Sequence, residues 1–173
     1  MKLLFTLLLT LFFALPAHAQ GNGIAMLIID KDPGGTNVRE EPKGRVMRVI
    51  PYGGKTDEEK EMRRVQVTEE KGQWFLVRLA DDASGWMHAS VLGACASATE
   101  DGDPSMYAEP NEESALIARV KDGTPLRLLD IRFPNDRGGW ARMEYTTPSG
   151  NKQTGWMMEH TLLANPYNDC WSQ

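Results

Sequence analysis

The sequence is short of the residues that most chemistry needs. Histidine occurs three times and cysteine twice among 173 residues. There is no Gly-x-Ser-x-Gly elbow, no glycine loop that could cradle a phosphate and no His-Glu-x-x-His helix. Past the N-terminal leader only His88, His160, Cys95 and Cys170 remain as soft ligands, and their spacing has no zinc signature. Cys95 and His88 are the one thiol and imidazole close together, and they straddle a strand end and a connection. The chain is therefore read as non-enzymatic, with no cofactor and no metal. Positive charge is also scarce, with 19 Lys and Arg against 24 Asp and Glu and a net charge of −5. Nucleic acid and anionic membrane are excluded as partners, because both demand clustered cations.

Long apolar runs are missing except at the start. Met1-Lys2, the run Leu3 to Leu15, Pro16 and Ala17-His18-Ala19 form a charged start, a hydrophobic segment and a small-x-small cleavage site. They are read as a signal peptide over residues 1–19; the run falls short of the about 20 residues needed to span a bilayer. The expected location is periplasmic or secreted, with no membrane insertion after cleavage. Loss of Lys2 leaves the mature chain still more acidic. In an exported protein an even pair of cysteines favours one Cys95–Cys170 disulfide, the alternatives being two free thiols or an intermolecular bridge.

What is present is a repeat. SGWMHASVL (84–92) returns about 70 residues later as TGWMMEHTL (154–162), matching Trp86 to Trp156. Each is preceded by a second tryptophan segment, KGQWFLVRL (71–79) and RGGWARMEY (137–145), which matches Trp74 to Trp140. Upstream again, Glu41-Pro42 matches Glu109-Pro110. A period of this length suits two copies of a small domain.

The order of these motifs resembles the bacterial SH3-like (SH3b) family. In the first copy the resemblance is carried by Asn37-Val38-Arg39, Pro42, Gly72-Gln73-Trp74 and Gly85-Trp86-Met87. The second copy departs at its start, with Ser105-Met106-Tyr107 where the family has Asn-Val-Arg. The resemblance implies an all-β fold of two small SH3-like barrels in tandem, and a ligand class of cell-wall (peptidoglycan) peptide or another extended peptide. The expected division is a first domain over 20–94, a small-then-acidic linker over 95–104, a second domain over 105–164 and a tail over 165–173.

Within this frame, strand-forming runs are expected at 24–30, 46–50 and 65–68. Thr56 and Glu59 have capping-box spacing, acids follow Thr56, and Arg63-Arg64 close the run, so a short helical insertion is expected near 56–64, with no counterpart in the second copy. In a strand alternate side chains share a face. Phe75, Val77 and Leu79 then face inward with Ala141, Met143 and Tyr145, leaving Trp74 and Trp140 outside with Arg78, Arg142 and Glu144. Trp86 and Trp156 are read as structural.

The candidate ligand-binding residues are Trp74, Arg39, Asn37 and His88 in the first copy, with Trp140 and Tyr107 in the second. Arg39 could instead pair with Glu40 or Glu41. The turn at 148–151 is longer than its partner at 81–84, a place for the copies to differ. Two rival readings are a periplasmic interaction or inhibitor protein, and an accessory targeting subunit for a wall hydrolase.

Overall fold

The computed structural model describes residues 23–53, 55–134, 138–167 and 170–171. The leader expected over 1–19 lies outside the described residues. In chain order the strands are β1 (Ile24–Ile28), β2 (Thr36–Arg39), β3 (Val46–Ile50), β4 (Arg64–Lys71), β5 (Trp74–Arg78), β6 (Ser84–His88) and β7 (Leu92–Ala96). They continue with β8 (Ser105–Tyr107), β9 (Leu116–Arg119), β10 (Pro125–Arg132), β11 (Trp140–Thr146), β12 (Lys152–Met158) and β13 (Leu162–Leu163). The fold is all-β, with one short helix, α1 (Asp57–Glu61), and two 3-10 turns at Ala89–Val91 and Glu159–Thr161. No helix among the described residues is long and apolar enough to cross a membrane.

Backbone pairing makes one open sheet. Its path is β3-β2-β6-β5-β4-β1-β7-β10-β11-β12-β8-β9, with β13 added on β7. Read outward from the centre, β4, β5, β6, β2 and β3 on one side match β10, β11, β12, β8 and β9 on the other. The irregularities match as well. β4 bulges between Val67 and Glu69 and β10 between Leu128 and Asp130. Each outer hairpin carries its own bulge, at Val38/Arg39 and at Met106/Tyr107. An extra residue at the same place in both halves bends both sheets alike.

The expected linker over 95–104 is corrected at its start, because Cys95 and Ala96 close the fully buried strand Leu92–Ala96. β7 pairs with β1 through Leu27–Gly93 and Ile28–Leu92, with β10 through Pro125–Cys95 to Arg127–Gly93, and with β13 through Leu162–Ala96 and Leu163–Cys95. It stands to β10 and β13 as β1 stands to β4 and β7. One strand thus closes the first half and opens the second. Small residues suggested a flexible joint, but Gly93, Ala94 and Ala96 are small because the strand is enclosed. A Cβ on Gly93 would lie 2.5 Å from the Leu126 carbonyl oxygen and 3.1 Å from the Ile29 side chain.

Alternation does the rest of the folding work. Phe75, Val77 and Met87 in one half and Leu126, Leu128, Met143 and Met157 in the other are buried completely and join a single apolar cluster across the seam. Each such side chain contributes about 1.5–3 kcal/mol by leaving water. The Gly-Trp pairs owe their glycine to the outer hairpins. A Cβ on Gly85 would overlap the Val38 side chain and come within 3.1 Å of Arg39 O; on Gly155 it would overlap Met106 and come within 2.8 Å of Tyr107 O. Gly85→Ala and Gly155→Ala are each expected to cost about 1–3 kcal/mol, as overpacking does. Denaturant midpoints of the two variants should fall by similar amounts, and an unchanged midpoint in either would show that its hairpin yields without strain.

The capping box at Thr56 and Glu59 is formed as the spacing requires. The helix, however, stops at Glu61, short of the expected 64, because Arg64 already pairs with Leu27 as the start of β4. Arg63 turns back and donates from Nη2 to the Ile28 carbonyl at 3.1 Å. Ser105–Tyr107 remains a strand although it lacks the Asn-Val-Arg sequence.

Candidate functional site

The outward face of β2, β6 and β5 brings three of the expected residues together. Register places Arg39 opposite Trp86, Leu76 opposite Trp86 and Trp74 opposite His88. All five are half-buried, whereas the residues between them on β5 and β6, Phe75, Val77 and Met87, are in the core. The imidazole of His88 meets the Trp74 ring edge-on with centroids 5.3 Å apart, and the Arg39 guanidinium sits 5.9 Å from the Trp74 centroid. Trp74 therefore lies between two nitrogen-rich groups on an accessible surface. Such aromatic and cation arrangements contribute roughly 0.5–1 kcal/mol where exposed.

Each flanking group is held from behind. Arg39 Nη1 donates to Gly44 O at 2.6 Å, so the side chain spans its own hairpin turn. The pairing of Arg39 with Glu40 or Glu41 does not occur; Glu40 instead pairs with Arg45. His88 caps the following 3-10 turn. Its Nδ1 accepts the Ser90 backbone N–H at 3.2 Å and lies 2.9 Å from Ser90 Oγ. With Nδ1 accepting, the neutral ring carries its proton on Nε2, which is left to donate elsewhere. Asn37 is exposed two residues before Arg39 on the same face of β2.

The corresponding place in the second half is built differently. Tyr107 stands opposite Trp156 as Arg39 stands opposite Trp86, and Trp140 stands opposite Met158 as Trp74 stands opposite His88. Tyr107 and Trp140 do meet, edge-on at 5.8 Å. Trp140 is nevertheless only 6% exposed, so the expectation that it lies open outside the sheet is corrected. Tyr107 accounts for this by supplying a ring where the first half has a guanidinium. Trp156 is buried too, at 8%, with the Arg132 guanidinium 5.7 Å from its ring centre.

One cluster was not anticipated. Arg132 Nη1 reaches Glu70 of the first half at 2.7 Å and Asp130 of its own strand at 2.5 Å. Burial, and then the adjoining Glu70 carboxylate, push the Asp130 carboxyl up to about 6 against the pull of Arg132. A proton on Asp130 lets the two carboxyl groups share a hydrogen bond, and its loss as pH rises leaves two like charges beside Arg132. The bulges hid this group from sequence reading, because each shifts the face of every residue after it. Leu76 and Trp86 were missed as surface neighbours of Trp74, although alternation along β5 already placed Leu76 on its face.

The pattern of a Pro-turned hairpin, a Gly-x-Trp strand and a Gly-Trp-Met strand has a counterpart among known domains. Residues 34–93 match the family model described as bacterial SH3 domain, from the turn before β2 to the start of β7. No curated protein matches the chain. A bacterial SH3 domain points to binding of peptidoglycan or of protein, and the Arg39, Trp74 and His88 surface lies wholly within it.

Proposed function

We propose that this is an exported, non-catalytic binding protein that recognises cell-wall peptide, or another extended peptide, on the Trp74 surface of its bacterial SH3 domain. The observation that carries the reading is the half-exposed Trp74 set between the Arg39 guanidinium and the His88 imidazole. A flat indole offers a stacking surface for a peptide unit, Arg39 offers charge to a carboxylate, and His88 Nε2–H offers a donor to a carbonyl. Residues 105–164 are proposed to be a second SH3-like unit whose matching position, filled by Tyr107 and the buried Trp140, supports the fold rather than a ligand. Export rests on the leader over 1–19, and the absence of catalysis on the lack of nucleophile and metal motifs in the sequence.

Mature protein is expected to sediment with purified peptidoglycan sacculi, and Trp74→Ala to weaken that binding by about 2 kcal/mol, roughly thirtyfold. Binding that is unchanged in Trp74→Ala would remove this surface from recognition. A second reading, docking of a periplasmic protein, is favoured by the exposed Val46, Met47 and Val49 along the free edge of β3. Sedimentation with sacculi absent altogether would select it.

A further inference from the structure

The two halves differ most at a face that neither tryptophan pair uses. Ala25, Gln66 and Arg78 lie side by side across β1, β4 and β5. In matching register, Gly93, Arg127 and Glu144 lie across β7, β10 and β11. In the second half that face is occupied by the chain's own tail. Trp171 lies on it, with its indole Nε1–H donating to Ala94 O at 3.2 Å and the Arg127 guanidinium 5.8 Å from its ring centre. Cys170, bonded to Cys95, fixes the ring there. The one acid of the face, Glu144, is neutralised by Lys152 at 2.8 Å.

In the first half the same face is open. A groove of about 390 Å3 is lined by Gly23, Ala25, Gln66 and Arg78 from one half and by Glu159 and His160 from the other. That volume falls in the roughly 300–1,000 Å3 range of small-ligand sites. No Trp, Tyr or Phe side chain lines it. The guanidinium of Arg78, which replaces the neutralised acid, has no hydrogen bond or ion pair among the described residues, and neither has the His160 ring. Glu159 is already committed, accepting from the Gly139 N–H at 3.0 Å. The groove therefore lacks the indole that its twin contains, and carries a guanidinium without an ion pair where its twin carries Glu144 paired with Lys152.

We infer that this groove between the halves binds an acidic peptide segment bearing an aromatic side chain, the ring lying where Trp171 lies in the second half and a carboxylate pairing with Arg78 beside His160. The small side chain of Ala25 leaves room for the ring. Arg78 supplies the forked donors that a carboxylate fits. The site is separate from the Trp74 surface and does not depend on it.

N-acetyl-tryptophan, which carries an indole and a carboxylate, is the probe, titrated into disulfide-bonded mature protein with backbone amide NMR as the readout. Shifts are expected at Ala25, Gln66, Arg78 and His160. N-acetyl-tryptophanamide, lacking the charge, should bind at least fivefold more weakly. Arg78→Gln, an exposed position whose change spares the core, should lose the same factor, while Trp74→Ala should leave the titration unaltered. Shifts confined to the surroundings of Trp74, equal binding of acid and amide, or an Arg78→Gln titration like that of the parent would each overturn the inference.

Discussion

Trp140→Ala is expected to lower the free energy of unfolding by about 3–5 kcal/mol, the usual cost of emptying a buried tryptophan site. Trp74→Ala should cost less, because that side chain keeps part of its surface in water where Trp140 is enclosed. The two residues occupy the same register position, so the contrast isolates their surroundings. Trp140 is 6% exposed against Tyr107 and the seam, whereas Trp74 is half-exposed beside Arg39 and His88. Denaturant unfolding of both variants measures it, and equal losses would show that Trp140 stands on an open surface after all. Combined with sacculus binding, the pair gives opposite signatures. Trp140→Ala should lose stability first, and Trp74→Ala should lose ligand first.

Removing the disulfide is the second large effect. Cys95→Ser combined with Cys170→Ser is expected to cost about 2–4 kcal/mol, because the bond closes a long loop and restricts the unfolded chain. The bond spans a sequence separation of 75 residues. Its native contribution is local and specific. The Cys170 N–H donates to Cys95 Sγ at 3.1 Å, Trp171 reaches Ala94 O, and Leu27, Ile29 and Ala164 form a small apolar cluster beneath the tail. Further along, Tyr167 Oη donates to Asp57 O at 3.4 Å and its ring lies 5.3 Å from Lys60 Nζ, which ties the tail to α1. Unfolding of the parent under reducing conditions should shift to the midpoint of the double variant. An unchanged midpoint in both would mean that the tail docks without the covalent bond.

The disulfide could be read from the sequence because two cysteines leave a single intramolecular choice. The short helix could be read because Thr56 and Glu59 are local partners. The surface of Trp74 was legible for a related reason, since alternation along β5 runs undisturbed from Trp74 to Arg78. Its partners Arg39 and His88 came from the family resemblance, not from periodicity. What escaped was decided by distant parts of the chain. Burial of Trp140 depends on Tyr107, more than thirty residues away, which no local pattern contains. The Glu70, Asp130 and Arg132 cluster depends on two bulges and on a contact between halves. The linker failed for another reason. Glycine and alanine look the same in a sequence whether they are loose or tightly enclosed, and only the crossing of β7 with β1, β10 and β13 tells the two apart.

That shared strand sets an order of assembly. The first half contains every strand it uses by residue 96, so it can complete itself while the rest of the chain is still being delivered. The second half cannot, because β10 keeps one edge open and β13 has no partner until β7 is in place. Cys170 follows both halves in the chain, so the Cys95–Cys170 bond joins the tail to the strand that the halves share.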